Sequence, residues 1–155
     1  MQVREIEVKS ILTKSRIPTV PYAVNPYIGC GHNCLYCYAT FMKRFTGHTE
    51  AWGSFVDVKI NAPEVLERQL KRAKKDTILL SSVCDPYQQI EKKYRLTRRC
   101  IEVILKHGFP LDILTKSDLV LRDLDLLKQF KEVTVGWSIT TNREEIKKIF
   151  EPNSP

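Results

Sequence analysis

The pattern of hydrophobic and polar positions changes period several times along the chain, which predicts alternating helices and strands. The first clear helical pattern covers 63–73, with Asn61 as its N-cap and Glu64 at the capping-box position. A continuous apolar run over 77–83 follows, and its partly β-branched composition predicts a strand buried on both faces. These two segments are therefore predicted to form a helix followed by a buried strand.

The same alternation continues towards the end of the sequence. A second helix is predicted over 98–107, with Thr97 as its N-cap and Gly108 as its C-terminal stop. The remaining predicted elements are a strand over 111–115, a helix over 119–130, a strand over 132–140 and a helix over 143–150.

With 22–29 as the first strand, these elements form four βα units, an α/β fold of parallel strands joined by helical crossovers. We assign 1–21 to an N-terminal extension and 22–155 to the core domain. Loops after the carboxyl ends of parallel strands hold the ligands of such folds, so functional residues are expected there. The sequence stops at 151–155 without a closing strand; an open sheet or a truncated chain would explain this, and truncation after the fourth βα unit is favoured.

Composition places the chain among ordinary globular domains, because 155 residues with 43% hydrophobic and 28% charged content support one compact core. No apolar run approaches the roughly 20 residues that span a bilayer, and the first ten residues lack a secretory pattern. We therefore expect a cytoplasmic protein that contacts no membrane. In that reducing compartment the five cysteines are expected to serve a metal or redox site instead of disulfides.

The net charge of +7 favours anionic partners, with nucleic acid as a candidate. Positive residues are bunched within 71–75 and within 92–99. The first bunch lies on the predicted helix, whose apolar residues recur at helical spacing, so the preferred interpretation of its lysines is a solvated helix face.

Three cysteines lie within eight residues on the loop after the first predicted strand: Cys30, Cys34 and Cys37. Gly29 and Gly31 would let the backbone wrap closely around a bulky inorganic centre. A cuboidal iron-sulfur cluster usually takes four thiolates, one for each iron. The motif therefore predicts an iron-sulfur cluster for which the loop supplies three ligands.

The fourth coordination position could be filled in two ways. Either Cys84 or Cys100 completes the set, or one iron stays open for a small molecule, as catalytic metal sites commonly do. We favour the open iron. Cys100 falls in an apolar helical stretch and is expected to be a buried small hydrophobe, whereas Cys84, at the end of the second strand, stays undecided.

The cysteine trio could instead form a zinc knuckle, or Cys34 and Cys37 could form a redox dithiol. A closed zinc site needs a second ligand pair, but His32 stands between two cysteines and His48 is not followed by another Cys or His pair. A zinc-stabilised nucleic-acid-binding module is therefore the alternative function, and the iron-sulfur hypothesis is preferred.

The run Pro26-Tyr-Ile-Gly-Cys-Gly-His-Asn-Cys-Leu-Tyr-Cys-Tyr-Ala39 resembles the signature of radical S-adenosylmethionine (SAM) enzymes. Together with Asp85-Pro-Tyr-Gln88 after the second strand, it is similar to the spore photoproduct lyase-like branch, also described as DNA repair photolyase-related. The resemblance extends from about Tyr22 to Pro155.

The resemblance implies a 4Fe-4S cluster whose unique iron binds the amino and carboxylate groups of SAM. Reduction then yields methionine and a 5'-deoxyadenosyl radical that abstracts hydrogen from a substrate. It also implies a partial (β/α)6 barrel, of which this chain holds four βα units, and an external electron donor of the flavodoxin or ferredoxin type.

For the SAM site, the resemblance implies that Asp85 accepts from the amino group, Lys116 pairs with the carboxylate and Ser138 hydrogen-bonds nearby. Tyr36 would offer its backbone carbonyl to adenine, and Tyr38 would lie near the cluster. The alternative for Asp85, Lys116 and Ser138 is a helix cap or an exposed loop residue. The cysteine hydrogen donor of spore photoproduct lyases has no counterpart in register, so the expected function is a radical SAM enzyme of unknown substrate.

Overall fold

The computed structural model describes residues 1–155. Its strands are β1 (Gln2–Ile6), β2 (Leu12–Lys14), β3 (Tyr22–Val24), β4 (Tyr27–Ile28), β5 (Phe55–Lys59), β6 (Ile78–Leu80), β7 (Leu111–Thr115) and β8 (Val133–Trp137). Its α-helices are α1 (Ala62–Leu70), α2 (Glu91–Tyr94), α3 (Leu96–His107), α4 (Leu124–Leu127) and α5 (Glu144–Phe150). Two 3-10 helices cover Tyr38–Phe45 and Asp118–Asp123.

The larger sheet has five strands in the order β2-β3-β6-β7-β8. β3, β6, β7 and β8 are parallel neighbours in chain order, and β2 adds an antiparallel edge. Helices connect these parallel strands, so the expected α/β architecture, a partial barrel of four βα units, is confirmed. The carboxyl ends of the four strands lie along one edge.

The prediction of a single strand over 22–29 is wrong, because this segment forms two short strands that belong to different sheets. β3 ends at Val24, and β4 pairs with β5 in a smaller sheet of order β1-β5-β4. Between them, Pro26 has no N–H to donate to a ladder. The Asn25 side-chain oxygen instead accepts from the backbone N–H groups of Ser82, at 2.8 Å, and Val83, at 3.1 Å. This break turns the cysteine loop away from the end of β3.

The first 21 residues, expected as an extension, take part in both sheets. β1 runs parallel to β5, from the pairing of Gln2 with Phe55 to that of Ile6 with Lys59, and β2 pairs antiparallel with β3. Strand β5 is almost wholly buried. The sequence patterns predicted none of β1, β2 and β5; for β1 and β5 the partner strand lies about 53 residues away along the chain.

The helices α1 and α3 form where they were expected, but their caps differ. The Asn61 side chain makes no cap hydrogen bond, since its oxygen accepts from the Val8 N–H at 2.9 Å, and the Glu64 carboxylate pairs with Arg99 instead of closing a capping box. α3 begins at Leu96, so Thr97 lies in its first turn instead of capping it. Gly108 ends α3 in the left-handed conformation, as predicted.

Among the remaining predicted elements, β7 covers 111–115 as predicted and α5 covers nearly all of 143–150, whereas two strands are shortened. The strand over 77–83 is limited to Ile78–Leu80, and the strand over 132–140 is limited to Val133–Trp137. The prediction of one α-helix over 119–130 is wrong, because the segment begins as a 3-10 helix and only the four residues of α4 are α-helical. There the buried Asp123 accepts hydrogen bonds from Tyr87 and Arg98, which holds the chain in the 3-10 segment against α3.

The main core lies between the larger sheet and helices α1 and α3. Cys100 is fully buried in it, as expected for a small hydrophobe. The buried cluster comprises Ile11, Val24, Ala62, Val65, Leu66, Leu70, Ile78, Leu80, Tyr87, Cys100, Ile101, Ile104, Phe109, Leu111, Ile113, Val120 and Leu127. None of the helices combines the length and apolar character that crossing a bilayer requires.

Candidate cofactor site at the carboxyl ends of the strands

The cysteine loop begins directly after β4. Gly29 has φ +87°, and a Cβ there would stand 2.3 Å from the Phe55 carbonyl oxygen, so the loop approaches β5 as only glycine allows. Cys30 is buried, whereas Cys34 and Cys37 are half-buried. The loop thus presents three thiols from one short segment beside the sheet edge.

A cavity of about 230 Å³ opens beside this loop. Its wall brings together residues from separate strand ends as well as the loop itself. The lining residues include every side chain predicted for the cluster and the SAM contacts, namely Cys30, Cys34, Tyr36, Cys37, Asp85, Lys116 and Ser138, together with His32, Tyr38 and Cys84. Cys100 does not line it. Asp85, Lys116 and Ser138, for which a helix cap or an exposed loop position was the alternative, thus line one cavity, and their ligand roles are predictions.

The three thiols share this cavity without being gathered around one point, because no three His, Cys, Asp or Glu side chains are arranged to hold a metal ion. Their chemistry nevertheless fits an iron-sulfur centre, since thiolates are its usual ligands. The cavity wall also holds a buried polar atom, His32 Nε2, that has no well-aligned hydrogen-bond partner. The thiol donor set, and a buried polar atom without a well-aligned hydrogen bond, are both suited to a bound group.

Electrostatics disfavours the redox dithiol. Burial raises the pKa of the Cys34 thiol to about 11 and raises that of Cys30 still further above its usual range. Reactive redox cysteines have lowered pKa values, because the thiolate is the nucleophile. In the metal-free protein the Cys34 thiol therefore stays protonated near neutral pH.

The geometry of His48 disfavours the zinc site. Its two ring nitrogens lie 3.0 Å from Glu50 and 2.9 Å from Asp57, beside the smaller sheet. Asp57 in turn pairs with Arg4. Because both nitrogens already have partners, His48 is not available to complete a set with the cysteine loop.

Asp85 is the junction between the cysteine loop and two strand ends. Its carboxylate accepts from Thr115 Oγ1 at 2.7 Å and from the backbone N–H groups of Tyr87 and Lys116, each at 2.8 Å. His32 Nε2 lies 3.3 Å away, but the contact is poorly aligned for a hydrogen bond. Burial opposes ionisation of Asp85, but the His32 contact and these donors prevail and lower its pKa. Asp85 therefore stays ionised and largely satisfied within the protein.

Gln88 clamps the cysteine loop from the same segment. Its side-chain oxygen accepts from the Gly31 N–H at 2.9 Å, and its nitrogen donates to the Gly29 carbonyl at 3.2 Å. The side chain is fully buried. Gln88 belongs to the Asp-Pro-Tyr-Gln run, so the sequence marked it, but its role follows only from the fold.

Lys116, which follows β7, reaches across the end of β8. Its Nζ lies 3.1 Å from Ser138 Oγ and 5.6 Å from the centre of the Tyr36 ring. Its shortest contact, 2.7 Å, is with Glu151 Oε1. The structure thus brings Lys116, Ser138 and Tyr36 together, and adds a carboxylate that the sequence analysis did not select. Glu151 follows α5, and no motif connects it with Lys116.

Comparison with known proteins agrees with this arrangement. A family model described as Radical SAM superfamily matches residues 24–155. The chain is 42% identical over 155 residues to an uncharacterized protein of Methanocaldococcus jannaschii, covering 100% of this chain and 58% of that protein. It is 32% identical over 160 residues to an uncharacterized protein of Mycobacterium tuberculosis, covering 94% of this chain and 47% of that protein. The chain spans about half the length of the curated relatives it matches.

Solved structures of spore photoproduct lyase variants share the fold. One variant matches with a TM-score of 0.72 at 19% identity, covering 99% of this chain and 44% of that chain. Another, with bound AdoMet and dinucleoside spore photoproduct, matches with a TM-score of 0.70 at 19% identity and covers 43% of that chain. At such identity the likeness establishes the fold.

Proposed function

The chain belongs to the radical SAM superfamily, and from this premise we propose that Cys30, Cys34 and Cys37 bind a 4Fe-4S cluster in a cavity that also takes S-adenosylmethionine. The observation that carries the proposal is the convergence of three thiols and three polar strand-end residues on one cavity wall. When bound, the cluster and SAM would supply reductive cleavage of SAM to methionine and a 5'-deoxyadenosyl radical, which abstracts hydrogen from a substrate. The AdoMet-bound spore photoproduct lyase variant of the same fold supports SAM as the ligand.

The loop thiols are the proposed ligands, with one coordination position left to SAM. Cys84 is the only other cysteine on the cavity wall. Its Sγ lies 3.6 Å from the Tyr27 carbonyl oxygen and 3.5 Å from Ser81 Oγ, so it is already hydrogen-bonded within the protein. A thiol whose hydrogen bonds are already made within the protein favours three protein ligands over four.

We propose that Lys116 and Ser138 hold the carboxylate of SAM and that the Tyr36 carbonyl faces adenine. An ammonium group has three donors, and a charge-assisted hydrogen bond to a carboxylate is among the stronger ones. Asp85 remains the candidate for the amino group. Since its oxygens already accept from Thr115 and two backbone N–H groups, we propose that it acts chiefly by fixing the strand ends.

The partners are proposed on separate grounds. Reduction needs an electron, and we propose an external donor of the flavodoxin or ferredoxin type, as the family resemblance implies. Nucleic acid is the proposed macromolecular partner, because a cleft of about 640 Å³ is lined by cations and by no acidic residue. The basic residues lining it are Lys14, Arg68, Lys71, Arg72 and Lys74.

Anaerobic purification and reconstitution test the proposal. The chain should be brown, contain iron with inorganic sulfide and change its electron paramagnetic resonance spectrum when SAM is added to the reduced protein. A colourless protein with stoichiometric zinc would contradict the cluster and favour the zinc-stabilised nucleic-acid-binding module. A brown protein whose spectrum does not change when SAM is added would be an iron-sulfur protein of another kind.

A further inference from the structure

Glu151 holds a buried carboxylate against the rim of the cavity. Its Oε1 accepts from Lys116 Nζ at 2.7 Å and from the hydroxyl groups of Tyr36 and Thr140. Its Oε2 lies 3.3 Å from Ser154 Oγ, and the residue is 5% exposed. Donors from separate segments of the chain therefore converge on one side chain.

The turn that carries Glu151 is tied to the cysteine loop on both sides of it. The Leu35 N–H, between Cys34 and Tyr36, donates to the Phe150 carbonyl at 2.9 Å, and the Asn153 N–H donates to the His32 carbonyl at 3.3 Å. Because the main chain is held before and after Glu151, its carboxylate has a fixed position relative to the loop.

Lys116 gains its orientation from this carboxylate. One of its three N–H bonds is directed to Glu151 and a second to Ser138 Oγ at 3.1 Å. The oxygens left for the third, Ser138 O and Thr140 Oγ1, are both 3.5 Å away, too far for strong hydrogen bonds. Lys116 lines the cavity and its side chain is only 15% exposed, so the third N–H is available to an anion there.

We infer that Glu151 is a positioning residue for the SAM site: it fixes the Lys116 ammonium and the Tyr36 hydroxyl so that Lys116 offers its remaining N–H to the SAM carboxylate. The inference rests on the proposed function. A lysine side chain has four rotatable bonds, and holding its end in place before binding lowers the entropy that binding would otherwise cost. Loss of the carboxylate would also leave a half-buried ammonium without its counter-ion.

The test compares Glu151→Gln with the matched control Glu145→Gln. Both remove one negative charge from the same region, but Glu145 lies exposed on α5 and pairs only with Arg143. In reconstituted protein of equal iron content, E151Q should bind SAM roughly tenfold more weakly than E145Q, the scale typical of losing a partner that orients a ligand. In metal-free protein, an amine-acylating reagent should modify Lys116 faster in E151Q, as measured by mass spectrometry.

Equal or tighter SAM binding by E151Q relative to E145Q overturns the inference and leaves the proposed function standing. Failure of the unsubstituted chain to bind SAM removes the proposed function and the inference with it. If E151Q does not retain iron, Thr140→Val gives a milder test, because it deletes one hydroxyl that donates to Glu151. That variant should lose SAM affinity with its iron retained, and unchanged affinity would equally overturn the inference.

Discussion

The cysteines of the chain occupy different environments, and these environments decide what each substitution should do. Cys30, Cys34 and Cys37 share the cavity wall, whereas Cys100 lies in the main core. Replacing any one of the loop cysteines by alanine should abolish cluster binding, because each is expected to ligate a different iron. Cys100→Ala should retain its iron content. Iron and sulfide analysis of the four variants checks this; loss of the cluster from a folded Cys100→Ala variant would contradict the three-cysteine hypothesis.

Substitution of Lys116 tests the SAM site independently of the cluster. Lys116→Ala removes a charge-assisted hydrogen bond of roughly 1.5 to 3 kcal/mol, so SAM binding should weaken about tenfold to a hundredfold. Iron content and colour should be unchanged, because no cysteine is altered. Anaerobic equilibrium dialysis measures the affinity, and an unchanged value would take Lys116 out of the site.

The pKa of Asp85 is lowered in the folded protein, and this predicts how its contribution to the stability of the fold changes with pH. A carboxyl group with a lowered folded-state pKa stabilises the fold above its unfolded pKa of about 3.9, and this contribution is lost as pH falls through the folded value. The stability advantage of the unsubstituted chain over Asp85→Asn should therefore be full near pH 7 and shrink below about pH 4. Urea unfolding of metal-free protein at several pH values measures it; an advantage that grows towards acid would show the opposite sign.

The cysteine loop is an element whose path depends on one glycine. Gly29 combines a positive φ with a close approach to the Phe55 carbonyl, whereas Gly47 has φ +73° with open space around its Cβ position. Gly29→Ala should therefore cost more than the roughly 1–2 kcal/mol of a left-handed alanine, because the loop must also move away from β5. Gly47→Ala is the matched control, with the backbone strain alone. Unfolding free energies and iron content of the two variants decide it, and equal losses would show that the close approach is harmless.

In the connection between β6 and α3, a buried carboxylate takes the place of the side-chain N-cap that the sequence predicted for α3. Glu91 is fully buried and accepts from the Thr97 N–H at 3.0 Å, at the start of α3, and from Arg122 at 2.8 Å. The Tyr27 hydroxyl donates to the same carboxylate. An acid outside the helix thus satisfies a helix N-terminus for which the side chain of Thr97 was predicted.

At the scale of the whole molecule, positive charge is compensated unevenly. Of the five cations that line the large cleft, only Lys71 has an acidic partner, Glu67 at 3.7 Å. Lys14 of β2 faces this helix-end bunch from the sheet edge where β3 begins. Tertiary structure therefore places Lys71, Arg72 and Lys74 of that bunch on one concave surface, where a helix face alone was expected.

We expect this cleft to bind the phosphate backbone of nucleic acid. Lys71→Gln with Arg72→Gln should weaken binding of a labelled oligonucleotide and reduce the slope of its salt dependence by about one for each phosphate that is no longer neutralised. The matched control is Lys92→Gln with Lys93→Gln on α2, which removes the same charge elsewhere. Fluorescence anisotropy with DNA and RNA at several salt concentrations measures both. Equal weakening by the two pairs would indicate attraction by net charge alone.

Sequence patterns were sufficient to predict the elements whose causes are local. Strand β7 begins and ends where its apolar run does, and Gly108 ends α3 because glycine adopts the left-handed conformation at little cost. That the four strands are parallel also followed from the alternation of patterns. The cysteine motif marked the loop that the fold places on the cavity, because its spacing is a property of one short segment.

Features that depend on distant partners emerged only in the folded chain. The division of 22–29 between two sheets depends on β5 and on the contacts of Asn25 with the segment after β6. The engagement of Asp85 by the Lys116 N–H, and of Lys116 by Glu151, joins residues 31 and 35 positions apart. Hydrophobic periodicity and residue propensity predict only which helix or strand a residue joins. The hydrogen bonds and ion pairs between distant segments determine which polar groups of the site already have partners within the protein. For that reason the sequence could nominate the site residues, and only the packed chain assigned their partners.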